Sequence, residues 1–312
     1  MKNSAIVIRT GLGPAIGGTL FYVAAKYLPP MPYWDGFFRV LPAGLLLLAI
    51  RPGLPRGAWW WKSLVLGTLN MGLFTVLLLI SAQRLPGGVA ATLNGTSSLV
   101  AIAVASVVLK EKVRPHHYIA CLVGVGGVAL LVLRSSAALN VVGVLAGIGS
   151  ACSMGVGTVL ARKWGRPEGV QSLTTAGWTL IGAAVVLLPL SLLVEGAPPS
   201  FTAKQLAGLV WAAFVVGAAG FALYLTGVQR LPVSLSAPLT LMNPVTAALL
   251  GWLVTGEQFT PLQILGGVLV CAAVILVANP HILGRFFTKP EPEPVAEAAA
   301  PADELKKIGS PA

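Results

Sequence analysis

Polar residues in this chain gather in short clusters, and long stretches between the clusters are apolar on every side rather than striped. A helix on the surface of a soluble domain would carry a polar face along its whole length. Ten apolar runs can be marked, over residues 4–25, 33–50, 62–83, 86–109, 115–134, 140–162, 170–194, 204–229, 232–255 and 261–279. Each is close to the roughly 20 residues that a helix needs to cross a hydrocarbon core about 30 Å thick. Strands of a membrane barrel would instead alternate in segments of about ten residues. The pattern predicts an all-α membrane protein with ten transmembrane helices, because a helix satisfies its own backbone hydrogen bonds where no water can.

Composition agrees: 56% of the 312 residues are hydrophobic and 10% are charged, with a mean hydropathy of +0.84. The first run is longer than the apolar core of a signal peptide, so it is taken as a span. Beyond residue 280 the chain turns to Pro, Ala and Glu, which predicts a disordered cytoplasmic tail over 281–312.

The net charge of +11 does not signal nucleic acid, because the basic residues are spread through short loops instead of covering one soluble face. There they report orientation. With the N-terminus inside, cytoplasmic loops hold Arg51, Arg56, Lys62, Lys110, Lys112, Arg114, Arg162, Lys163, Arg166 and Arg230, and the tail adds Arg285, Lys289, Lys306 and Lys307. Outside there are only Lys26, Arg39, Arg84, Arg134 and Lys204. Both termini are therefore expected in the cytoplasm, and the chain in the inner or plasma membrane.

An internal repeat strengthens that picture. Gln83-Arg84-Leu85-Pro86 returns as Gln229-Arg230-Leu231-Pro232, an offset of 146 that also pairs Glu111 with Glu257 and Pro115 with Pro261. A weaker match at offset 136 pairs Gly11, Gly13 and Ala15 with Gly147, Gly149 and Ala151. Residues 1–134 and 135–280 thus read as two five-helix copies. An odd number of helices per copy makes the repeat inverted, which places Arg84 outside and Arg230 inside.

Several pieces carry a family resemblance: FFRVLPAGLLLLA (37–49), the hairpin AQRLPGGVAATLN, EKVRPHHYIACLVGVGGVALL (111–131) and, in the second copy, VQRLPVSLSAPLTLMNPVTAALLGWLVTGEQFTPLQILGGVLV. In order and spacing they resemble the drug/metabolite transporter superfamily and its EamA-type branch, over about residues 5–280. The resemblance implies a ten-helix carrier of small metabolites, often an exporter of amino acids, working by alternating access. It also implies that the third, fourth, eighth and ninth helices line much of a central cavity, with contributions from the first and sixth.

Polar groups inside a span must face a neighbour or a wet cavity. Ser236, Thr240 and Asn243 share one face of the ninth span, and Pro244 removes the N–H that would bond the Thr240 carbonyl. In the fourth span Asn94, Ser97 and Ser98 share a face, with Ser97 the offset-146 counterpart of Asn243. The plainer reading is helix-to-helix hydrogen bonding worth about 0.6 to 2 kcal/mol each; the two faces together favour a cavity. Aromatic and amide groups extend it: Asn70 and Phe74 in the third span, Tyr224 in the eighth, Trp178 in the seventh and Ser153 in the sixth. Candidate substrate-binding residues are therefore Asn70, Phe74, Asn94, Ser97, Ser153, Trp178, Tyr224, Thr240 and Asn243. Pro14, Gly17 and Pro244 are candidate hinges. Trp59, Trp60 and Trp61 read as an interfacial belt.

Catalytic and cofactor motifs are not found. No His-Glu-x-x-His or Gly-x-Ser-x-Gly occurs, Cys121, Cys152 and Cys271 lack paired spacing, and adjacent His116 and His117 make no metal site. Asp35 and Arg39 read as an i,i+4 pair at a helix start, and Glu111 and Glu257 as helix caps. With no carboxylate placed deep in a span, a proton relay has no evident carrier. The expected protein is not an enzyme, uses no cofactor or metal, and is a monomer or weak dimer whose partners are a small-molecule substrate and membrane lipid. Its expected function is a secondary transporter, exporter or facilitator, of neutral or zwitterionic metabolites such as amino acids, aromatic and hydrophobic ones included. A broad-specificity drug carrier or a nucleotide-sugar-like metabolite carrier stands as the alternative, with an intramembrane enzyme or a channel further behind.

Overall fold

In the computed structural model, residues 2–27, 31–85, 93–111, 113, 115–132, 140–255 and 260–278 are described. They are helical and contain no strand. In chain order the helices are α1 (Lys2–Tyr27), α2 (Pro32–Ile50), α3 (59–84), α4 (Leu93–Val108), α5 (Pro115–Val132), α6 (Val141–Trp164), α7 (Ser172–Val194), α8 (Ala203–Val228), α9 (233–255) and α10 (Pro261–Ala278). Among the described residues, α2, α3, α6, α7 and α8 are each long and apolar enough to cross a bilayer, and α4, α5 and α10 carry shorter apolar stretches. The tail at 281–312, Pro86 of the first QRLP and Glu257 lie outside the described residues.

The helix ends show why the polar clusters fall where they do. Asn140 accepts the Gly143 N–H at the start of α6, and Gly165, at φ +58, ends that helix in a conformation that suits glycine. Thr202 with Gln205 forms a capping box on α8, and Thr260 with Gln263 makes the same reciprocal bonds on α10. Two caps come from distant chain. Glu195, just past α7, accepts the Tyr33 and Trp34 N–H groups at 3.1 and 2.9 Å at the start of α2. Glu111, just past α4, accepts the Val233 and Ser234 N–H groups, both at 3.1 Å, and the Ser234 hydroxyl at 2.6 Å. Glu111 therefore caps α9, not the adjacent α5: a carboxylate meets whichever open helix N-terminus packing brings to it.

Packing follows a recurring scheme. α2 lies along α7, and α5 along α10. α1 packs on α8 and α9, while α6 packs on α3 and α4. The α3–α7 contact is likewise answered by α8–α2, so each pairing recurs with both members moved by five helices. The closest approaches rest on glycine. A methyl group added at Gly13 of α1 would lie 2.5 Å from the Gly220 carbonyl oxygen and 2.8 Å from the Tyr224 nitrogen, so the α1 and α8 backbones touch there. Outward-facing Leu45, Val107, Leu145, Leu193, Leu253 and Val268 are exposed. Such a surface suits a lipid environment, since the apolar side chains covering it would aggregate in water.

Three helices depart from α geometry. Thr68–Gly72 within α3 and Trp211–Gly220 within α8 are π-helical, a wider winding that often marks functional sites. In α9, Pro238–Leu241 is a tight 3-10 stretch ahead of the α-helical Met242–Thr255. The expected break at Pro244 thus falls six residues earlier, at Pro238. Pro244 stands in the first turn of the following segment, where a missing N–H costs nothing. Trp59 also differs from a belt residue: it is buried, with its ring centroid 6.0 Å from that of Trp178, while Trp60 and Trp61 are exposed.

Candidate functional site

The irregular stretches of α3, α8 and α9 meet around one central cavity of about 120 Å³. That is room for several waters or one small solute. α3 contributes Asn70, Met71, Phe74 and Thr75, and α8 contributes Val216, Gly220, Phe221 and Tyr224. Asn94 of α4, Met154 of α6, and Thr240 and Asn243 of α9 complete much of the wall. From α1 come Gly13, Pro14 and Gly17. The bare Gly17 makes space for the Asn243 amide, whose Oδ1 would lie 2.6 Å from a methyl group added there.

Of the residues singled out from sequence, Asn70, Phe74, Asn94, Tyr224, Thr240, Asn243, Pro14 and Gly17 line this cavity. Helical spacing brought them out because a polar side chain within an apolar run needs a destination. Ser97, Ser153 and Trp178 lie elsewhere. Ser97 is buried in the helix packing. Ser153 donates to the Leu69 carbonyl at 2.7 Å, tying α6 to the π-helical turn of α3. Trp178 donates its indole N–H to the Gly53 carbonyl at 2.7 Å. It lines a separate cavity of about 500 Å³ at the loops 51–56 and 167–171, with Arg51, Arg56 and Glu168. Pro244 is buried just beside the wall.

The structure also puts α2 on the wall, through Asp35 and Arg39. Both side chains are only 6% exposed. They lie in each other's field, as their spacing suggested, but no hydrogen bond joins them. Arg39 Nη2 donates to Thr75 Oγ1 at 2.5 Å and to Met71 Sδ at 3.5 Å, both on α3. Arg39 Nε and Asp35 Oδ1 are buried without a hydrogen-bond partner. Asp35, expected only as the partner of Arg39 at a helix start, is thus a buried carboxylate on the cavity wall. The signal was available: an ionisable residue inside an apolar run is a functional candidate by default.

The remaining polar groups divide into settled and open ones. Asn70 Nδ2 donates to the Leu66 carbonyl at 3.1 Å, and the Tyr224 hydroxyl lies 3.2 Å from Thr158 Oγ1. Asn94 Oδ1 and Asn243 Oδ1 are buried and unpartnered. Unpartnered on the wall are thus the acceptors Asp35 Oδ1, Asn94 Oδ1 and Asn243 Oδ1 and the donor Arg39 Nε, among aromatic and apolar surfaces; a few placed polar groups on apolar walls are the usual make-up of a small-molecule pocket. Among the described residues no group of three His, Cys, Asp or Glu side chains could hold a metal ion.

Known proteins resemble this chain over most of its length. The profile of the EamA-like transporter family matches this chain twice, at residues 6–133 and 141–279. Protein PecM of Dickeya dadantii is 33% identical over 87% of this chain and 92% of its own length. A Salmonella typhimurium protein named "Probable amino-acid metabolite efflux pump" is 23% identical over 81% of this chain and 87% of its own. One from Streptantibioticus cattleyicolor, named "Probable terminal-alkyne amino-acid exporter", is 27% identical over 70% and 73%. A solved crystal structure superposes with a TM-score of 0.73 over 88% of this chain and 98% of its own, at 19% identity, a likeness of fold.

Proposed function

The chain belongs to the EamA-like transporter family, and on that premise we propose that it is a secondary transporter of small neutral or zwitterionic metabolites, amino acids with apolar or aromatic side chains among them. The observation that carries this reading is the central cavity, with open amide and charged groups set among Phe74, Phe221 and Tyr224 and walled by irregular helices. A wet, polar-lined pocket at broken helices is how carriers present backbone and side-chain groups to a solute in mid-membrane. The names of the two amino-acid-exporting relatives agree with the substrate class.

The same proposal makes residues 1–134 and 135–280 two five-helix halves of opposite orientation that rock about the cavity. Support comes from the double family match, from contacts that recur five helices on, and from π-helical turns at corresponding places in α3 and α8. The loop charges favour the cytoplasmic membrane with both termini inside. Cysteines substituted at Arg84 and Arg230 should then label from opposite sides of the membrane; labelling from one side would sink the inverted arrangement.

The direct test is counterflow in liposomes containing the purified protein, with a panel of amino acids, sugars, nucleosides, amines and organic acids. Saturable counterflow of apolar amino acids is expected. Asn243→Ala should reduce it about tenfold, corresponding to roughly 1.4 kcal/mol, with insertion unchanged. Wild-type flux in that variant would remove Asn243 from the site.

A further inference from the structure

Asp35 and Arg39 sit one turn apart on α2 and line the central cavity; each lies in the other's field, yet one atom of each stays buried without a hydrogen-bond partner. Thr75 and Met71 hold one end of the guanidinium on α3, which leaves Arg39 Nε open as a donor and Asp35 Oδ1 open as an acceptor. The other charged group near Asp35 is Glu195. Its carboxylate is already engaged by the Tyr33 and Trp34 N–H groups.

A buried charge with an unsatisfied hydrogen-bonding atom is costly unless something compensates it. Each charge compensates the other only in part and without a hydrogen bond, so a solute entering the cavity can supply what is missing, and the unpartnered atoms describe it. It must present an anionic acceptor to Arg39 and a cationic donor to Asp35. Two further open acceptors, Asn94 Oδ1 and Asn243 Oδ1, line the same space. An ammonium group has three donors and no acceptor, and a carboxylate accepts from a guanidinium in a charge-assisted bond. An α-amino acid carries both on one carbon.

The geometry points to Asp35 and Arg39 as the charge pair that selects and orients a zwitterionic substrate, Arg39 taking its carboxylate and Asp35 its ammonium. This rests on the transporter reading above and narrows it from neutral or zwitterionic solutes to zwitterions. The side chain of the bound amino acid then lies against Phe74, Phe221 and Tyr224. Thr75 is a positioning residue, holding the guanidinium away from Asp35 so that neither charge is cancelled before the substrate arrives. A singly charged analogue compensates one member of the pair and strands the other, and is rejected for that reason.

The test uses full-length protein in liposomes loaded with L-phenylalanine, with counterflow competed by L-phenylalanine, its methyl ester, which keeps only the cation, and N-acetyl-L-phenylalanine, which keeps only the anion. In the wild type the zwitterion should compete at least tenfold better than either analogue, a comparison that needs no variant to fold. Asp35→Asn should weaken the zwitterion at least tenfold and bring the N-acetyl form to parity with it. Arg39→Gln should do the same in favour of the methyl ester. Thr75→Val should raise the half-saturating concentration several-fold while keeping the order of the three competitors. If the analogues compete within threefold of the zwitterion, or if both charge variants keep the wild-type preference, the charge pair is overturned and the carrier stands. Counterflow of a sugar or nucleoside but of no amino acid would overturn the pair and its substrate class. Movement of no solute at all would overturn the transporter reading with it.

Discussion

The third and eighth helices carry the same irregularity, but the third adds polar groups to the cavity lining that the eighth largely lacks. Each contains a π-helical stretch, Thr68–Gly72 in α3 and Trp211–Gly220 in α8, and each turns that side toward the cavity. From α3 the wall receives the polar Asn70 and Thr75 along with Met71 and Phe74, Thr75 fixing Arg39. From α8 it receives Val216, Gly220, Phe221 and Tyr224. The α3 turn is braced by Ser153 donating to the Leu69 carbonyl. The α8 turn is instead pressed backbone to backbone against α1 at Gly13. A shared backbone device thus serves chemistry on one side and shape on the other.

The sharpest way to break the comparison is at the close approach. Gly13→Ala would push a methyl group against the Gly220 carbonyl and the Tyr224 N–H, backbone atoms that cannot rotate away. Overpacking of this kind costs about 1 to 3 kcal/mol, so a lower unfolding temperature in detergent and loss of most flux are expected. Normal flux at normal stability would show that α8 is not held by this contact. Next comes the polar side. Asn70→Ala should lower amino-acid counterflow about tenfold with little change in stability, since the side chain's one internal bond returns to its own helix at Leu66; a stability loss at full flux would make Asn70 a packing residue. The smallest effect belongs to Tyr224→Phe. It removes the contact with Thr158 while keeping the aromatic wall, at about 1 kcal/mol. Flux within twofold of wild type is expected, and a tenfold loss would give α8 a polar role.

Much of the lining was legible from spacing alone. Asn70 with Phe74, and Thr240 with Asn243, announce themselves because an apolar run tolerates an amide or hydroxyl only where that group has something to face. Trp178 looked equivalent by the same logic, yet its indole N–H found a carbonyl at Gly53 in a loop. Asp35 and Arg39 were expected as a pair but not on the cavity wall, for a related reason. Spacing of i,i+4 shows that two side chains can meet, but Thr75 and Met71 arrive from another helix and take the guanidinium first. The irregular turn of α9 was expected at Pro244 and instead begins at Pro238, since Pro244 falls in the first turn of the next segment, where a helix tolerates it.

By itself the sequence determined that the chain is helical and apolar, because backbone hydrogen bonding in hydrocarbon must be satisfied within each segment. Tertiary structure alone decided which polar atoms stayed open: Glu111 spent on α9, Glu195 on α2, Ser153 on the α3 turn, and Asp35 left facing the cavity. Those outcomes depend on which helix arrives beside which, a contest among distant partners that local spacing does not encode.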